Sequence, residues 1–161
     1  MYTLEQHVDD LLAHVDRVRQ NARFLAKRLV EAGRSDFARI LLARAHVHDA
    51  SKWHGIEWDQ LHMGPDNEGP ELEAAIRQHQ KTNDHHPEFH GSIGEMPEAA
   101  IAEMVADWAA RAQEFATDLR DWVKTQAAVR YEFDKHPKKA KQVWAFIDML
   151  LPPKFGKRKR T

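Results

Sequence analysis

The chain reads as all-α, a helical bundle of roughly five to six helices. Apolar residues recur at steps of three and four, no stretch alternates with a strand-like period of two, and the breaks between periodic segments carry Gly or Pro. Thr3 is placed to cap a first helix with the stripe Leu4, Val8, Leu11, Leu12, Val15, Val18, Ala22, Leu25 and Leu29, ended by Gly33. His14 borders that stripe, and His7 lies two turns earlier on the same line. Ser35 is placed to cap a second helix through Phe37-Ala38-Arg39-Ile40-Leu41-Leu42-Ala43, which His48-Asp49 closes. His48 keeps register with Phe37 and Leu41, and Asp49 with Leu42 and Ala45, so both side chains are expected to point inward.

The segment from His54 to Pro70 is loop-like, with Gly55, Gly64, Pro65 and Gly69, and a short helix is expected over Ile56 to Met63. A third helix runs from Glu71 to about Asp84 and sets His79, Asn83 and His86 on one face, fraying before Pro87. Pro97 starts a fourth, with the stripe Ile101, Met104, Val105, Trp108, Ala112 and Phe115 and with Asp107 at its border. A fifth, capped by Thr117, continues to Phe133. The last starts at Pro137 and is stopped by Pro152-Pro153.

Length and balance fit one domain over residues 1–153, followed by a basic tail over 154–161. The chain is 42% hydrophobic and 30% charged, which is ordinary for a packed protein and argues against disorder. Five cations follow Pro153, so a net charge of −1 overall leaves −6 on the body. An acidic body disfavours a large nucleic-acid face, and any such contact is expected only through the tail. There is no cysteine, which excludes disulfides, thiolate zinc sites and cysteine nucleophiles, and limits metal ligands to nitrogen and oxygen. No apolar run is long enough to span a membrane, and the N-terminal residues lack the pattern of a signal peptide. The expected location is cytoplasmic.

The compositional outlier is histidine, with eleven in the chain and most of them between His46 and His90. His48-Asp49 sets an imidazole beside a carboxylate, the start of a site for a borderline divalent metal such as Zn, Mn, Fe, Co or Ni. Two ligands do not close such a site. Further donors are available in His14, in Asp107, and in the run that holds His79, His85, His86 and His90.

The order His14, His48-Asp49, Asp107 resembles the HD-domain superfamily of metal-dependent phosphohydrolases, with 34 residues across the first interval and 58 across the second. The resemblance implies an HD-like helical bundle in which His14, His48, Asp49 and Asp107 hold a divalent metal. Closer still is the resemblance to a small phage and bacterial family of HD type, for which no activity follows. It is carried by His48-Asp49-Ala50-Ser51-Lys52, Asn83-Asp84-His85-His86, Met96-Pro97 and Glu103-Met104-Val105-Ala106-Asp107-Trp108. Lys52 stands where small HD nucleotidases carry an acid, whereas Glu57 fits their second acidic position. Lys52 is similar instead to HD branches that use extra histidines and often two metals. His79, His85 and His86 could supply a second site, although their spacing is shorter than in the dinuclear phosphodiesterases.

The expected activity is therefore hydrolysis of a nucleotide or similar small phosphoester by metal-activated water. Lys52 and His79 or His86 would hold the phosphate, and Glu57 would orient or activate the water. The rivals are a di-iron oxygenase on the same fold and a non-catalytic, metal-stabilised module that contacts nucleic acid through its tail. A homodimer is expected only by analogy with HD relatives. Trp53 and Trp58 are read as closing the core before serving as a stacking platform.

Overall fold

The computed structural model describes residues 2–62 and 68–151, and every regular element among them is helical. In chain order these are α1 (Leu4–Glu31), α2 (Ser35–His46), a 3₁₀ turn (Ala50–Trp53), α3 (Gly55–Gln60), α4 (Pro70–Thr82) and α5 (Pro87–His90). After a second 3₁₀ turn (Ile93–Glu95) come α6 (Glu98–Glu114), α7 (Leu119–Trp122), a π-helical stretch (Val123–Ala127), α8 (Ala128–Arg130) and α9 (Pro137–Leu150). The expected loop residues Gly64 and Pro65, the Met63 end of the short helix, the Pro152-Pro153 stop and the basic tail lie outside the described residues.

Helix α6 is the axis of the bundle and packs against α1, α2, α7 and α9. Twelve of its seventeen residues are buried. Six of those twelve are alanine, so neighbouring backbones can close on it from several sides. The largest fully buried side chains come from α1 (Val18, Leu25, Leu29), α2 (Leu41), α6 (Ile101, Met104, Val105) and α9 (Phe146, Ile147).

Local signals set the boundaries. Thr3 and Gln6 form a reciprocal capping box at the start of α1. At its end Gly33 sits at φ 77°, and the amides of Gly33 and Arg34 return to the carbonyls of Val30 and Leu29. That left-handed closure suits glycine because it has no Cβ. The stripe expected along α1 includes two residues that face solvent, Leu4 and Leu12. Ser35 begins α2 without capping it, and Asp118, not Thr117, caps α7 through the amide of Asp121. The expected fifth helix changes hydrogen-bond register at Val123–Ala127 instead of running straight to Phe133.

Helix α2 also ends earlier than its periodicity suggests. Its last residue is His46, and Asp49 adopts a left-handed conformation at φ 57° and ψ 25°. Inside a helix, adjacent side chains diverge by about 100°. Leaving the helix lets His48 and Asp49 turn into one cavity. Leu42, whose register was to carry Asp49 inward, is itself 40% exposed.

Leu25→Ala should destabilise the fold by about 2–5 kcal/mol, because the cavity opens in a closed core. Leu12→Ala should stay within about 0.5 kcal/mol. Urea unfolding of the two variants checks the assignment of α1's inner face.

Candidate metal centre

Six side chains from five segments converge where α1, α4 and α6 meet the turn after α2. His14 comes from α1, His48 and Asp49 from the turn, His79 from α4, His85 from the loop after it, and Asp107 from α6. All six are buried.

The carboxylate of Asp49 is shared between two sets of nitrogens. Its Oδ2 lies 3.4 Å from His14 Nε2 and 3.5 Å from His48 Nε2. Its Oδ1 lies 3.4 Å from His79 Nε2 and 3.5 Å from His85 Nε2. Asp107 Oδ1 closes the first set, 3.2 Å from His14 Nε2 and 3.8 Å from His48 Nε2. Donors that share one ion at about 2.0–2.2 Å stand roughly 3–4 Å apart, so both sets have ligand spacing. His79, His85 and His86 also offer nitrogens within 4.8 Å of one another. The nitrogens His14 Nε2, His48 Nε2, His85 Nε2 and His86 Nε2, with Asp49 Oδ1 and Asp107 Oδ1, are buried without a hydrogen-bond partner among the described residues. Buried polar atoms are nearly always satisfied, so six in one cavity make it a candidate site for a bound ion or water.

The far nitrogens are engaged. His14 Nδ1 meets Glu114 Oε1 at 2.7 Å, His48 Nδ1 meets Glu103 Oε1 at 2.9 Å, and His79 Nδ1 meets Glu57 Oε2 at 2.8 Å. A carboxylate that accepts a hydrogen bond from Nδ1–H fixes the ring and leaves Nε2 as a lone-pair donor toward the cavity. Glu103 is steadied in turn by Arg44, whose Nε lies 2.8 Å from its Oε2 and whose guanidinium also forks onto Asp84. Asn83 holds the end of α4 by donating to the His79 carbonyl and to Ser51 Oγ.

The cavity shifts the titration of its imidazoles in opposite directions. Burial opposes a charge on His14 and His48, yet the surrounding carboxylates raise them to about 9 and about 10. Burial, reinforced by neighbouring imidazoles, lowers both His85 and His86 to about 3. Burial also works against the Asp49 carboxylate, but His48 and Lys52 hold it well below the usual range, as His14 and His48 do for Asp107.

Two expected roles change. Lys52 is buried, and its ammonium lies 2.6 Å from Asp49 Oδ2, so it balances the shared carboxylate instead of standing free as a phosphate clamp. Glu57 is buried and taken up by His79, Ser51 and Thr82, so it positions a ligand and is not free to activate water. His85 faces Asp49 directly, whereas His90 bonds the Asp84 carbonyl. His79, Asn83 and His86 do not share a helix face, because Asn83 and His86 are extended. His7 packs on Trp58, and Trp53 stacks on Trp58 with centroids 5.8 Å apart.

Glu114 and Arg111 were missed from the sequence, and Glu103 was not given its role. Their signal was the run Glu103, Asp107, Arg111 and Glu114 at steps of four, four and three on an otherwise apolar helix. A groove of about 280 Å³, lined in part by Lys52, His79, His86, Asp107 and Arg111, opens beside the cluster. A larger cleft of about 900 Å³, lined by Phe24, Leu119 and Leu150 among others, contains none of the candidate ligands.

Fold and site together define an all-helical domain built around a buried histidine–carboxylate cluster. A family described as a family of unknown function (DUF5662) matches residues 3–149, so the chain belongs to that family over nearly its whole length. No curated protein and no solved structure shows a significant match. Among the described residues, no helix is long and apolar enough to cross a membrane.

Glu103→Gln should weaken metal binding about 10–100-fold, because His48 loses its anionic partner. Competition with a chromophoric chelator reads the change. Zn²⁺ added to chelator-stripped protein at pH 7 should release about two protons, since His14 and His48 are charged below about 9 and about 10 and must lose that charge to bind. Release should shrink toward pH 10, as a pH-indicator titration can follow.

Proposed function

We propose that this protein is a metal-dependent phosphohydrolase of HD type, with a two-metal centre that acts on a nucleotide or similar small phosphoester. The observation that carries the reading is the Asp49 carboxylate, with each oxygen facing its own pair of imidazole nitrogens. Divalent ions held there would supply an activated water and Lewis acidity toward a phosphoryl oxygen.

The rest of the chemistry falls to the chain itself. His14, His48 and Asp107 face one side of Asp49, and His79 and His85 face the other, with His86 in reach of that second set. Glu114, Glu103 and Glu57 keep the three Nδ1 protons away from the cavity. Lys52 offsets the charge of Asp49, and the burial of the cluster excludes bulk water, which strengthens each of these contacts. The groove lined by His86, Asp107 and Arg111 gives a phosphoester access from one side.

The shared carboxylate also suits the second reading, a di-iron oxygenase, because that chemistry needs two adjacent ions too. Oxygen uptake by anaerobically iron-loaded protein, without phosphate release from any ester, would favour it. The non-catalytic module depends on the tail beyond the described residues, and nothing in the cluster favours it.

Elemental analysis should return about two divalent ions per chain, and a screen of phosphoesters with several metals should give phosphate release. His48→Ala and Asp49→Ala should each lose metal and cut release about a hundredfold or more. Full activity in both variants, with metal content unchanged, would overturn the proposal.

A further inference from the structure

A second cleft, of about 560 Å³, shares Gln80, His86, Asp107 and Arg111 with the groove beside the metal cluster. It runs from those residues to Trp108, Phe115, Trp122, Arg130 and Tyr131. Its volume is in the range of small-molecule sites, roughly 300–1,000 Å³. None of these aromatic residues serves the metal cluster.

The far wall is aromatic and ordered. Trp108 stacks on Tyr131 with planes 9° apart and centroids at 5.8 Å, and it meets Trp122 edge-on at 5.1 Å. Trp108 is buried, so it anchors the wall, while Trp122 and Tyr131 are only partly covered. Phe115 stands at the rim with 55% of its surface exposed. The Tyr131 hydroxyl has no hydrogen-bond partner among the described residues, and burial helps raise it to about 12, so it remains a neutral donor.

Between this wall and Asp107 stands Arg111, one helical turn beyond Asp107 on α6. Its Nη1 is tied to Glu114 Oε2 at 3.0 Å, and Glu114 in turn holds His14. No other ion pair of Arg111 occurs among the described residues; its guanidinium lies over the Phe115 ring, 5.9 Å from the centroid, and the side chain lines the cleft. A cation of fixed charge next to the cluster fits an anionic group, and flat aromatic faces farther out fit a planar ring.

We propose that this cleft is the substrate's ring subsite: the protein takes phosphoesters that carry a planar aromatic ring, with Arg111 on the phosphate and the ring against Trp122 and Tyr131. The assignment of the phosphoryl end rests on the phosphohydrolase reading, whereas the ring subsite is tested by binding alone. Nucleoside phosphates and simple aryl phosphates share the required chemistry.

The test is calorimetric titration of the full, metal-loaded chain with AMP, phenyl phosphate and ribose 5-phosphate. AMP should bind about tenfold or more tightly than ribose 5-phosphate. Trp122→Leu, checked for fold by circular dichroism, should narrow that ratio and leave ribose 5-phosphate unchanged; the rim variant Phe115→Ala, checked likewise, should also narrow the ratio. Arg111→Gln should weaken AMP and ribose 5-phosphate alike. Phenyl phosphate equal to AMP would assign the subsite to aryl phosphoesters in general, and AMP well above it would assign it to nucleotides. Equal binding of AMP and ribose 5-phosphate, or a ratio untouched by both aromatic variants, would overturn the proposal. Ring-dependent binding without phosphate release would keep the subsite and remove the hydrolytic reading.

Discussion

The structure depends on a single buried carboxylate with cationic or ligating groups on every side. Asp49 is 2% exposed and ionised, and a charge taken out of water is costly unless it is compensated. Lys52, two pairs of imidazoles and a left-handed backbone turn all converge on it. A non-glycine residue in that conformation is strained, and such strain persists where the surroundings over-determine it.

The rest of the bundle holds this point in place. Helix α6 supplies Asp107, Glu103 and Glu114 from one buried element, so the spacing of a candidate ligand and two carboxylates that hold histidine rings is set by helix geometry rather than by loops. Alanine on its other faces lets α1 and α2 come close, and these bring in His14 and the His48-Asp49 turn. Arg44 ties the end of α2 to both Asp84 and Glu103, so the loop that carries His85 and the helix that carries Asp107 are braced by the same guanidinium. The buried polar groups are thus a connected network, in which removing one member leaves others unpaired.

Much of this was legible in the residues. The three-and-four periodicity of Leu11, Val15, Val18, Ala22 and Leu25 gives α1, and that of Ile101, Met104, Val105 and Trp108 gives α6, because a long buried stripe has only one regular solution. The histidines and acids of the cluster were identifiable as donors from their order and type. What failed was geometry decided at chain reversals. Helical register cannot foresee that α2 stops at His46, nor that His85 folds back to Asp49 from an extended stretch ahead of Pro87. Glu57 and Lys52 were given free roles because sequence shows a charge without its partner: His79 reaches Glu57 across a tertiary contact, and Lys52 meets Asp49, three residues earlier, only through the turn that follows α2. The aromatic wall was not legible, because only the fold brings Trp108 of α6 together with Trp122 of α7 and with Tyr131 after α8.

The most direct measurement of the central claim is anomalous X-ray diffraction from crystals of the manganese-loaded protein. Two peaks are predicted, one on the side of Asp49 that faces His14, His48 and Asp107, and one on the side that faces His79 and His85. A map with no peak at Asp49, or with one peak confined to one of its oxygens at saturating metal, would contradict a shared carboxylate.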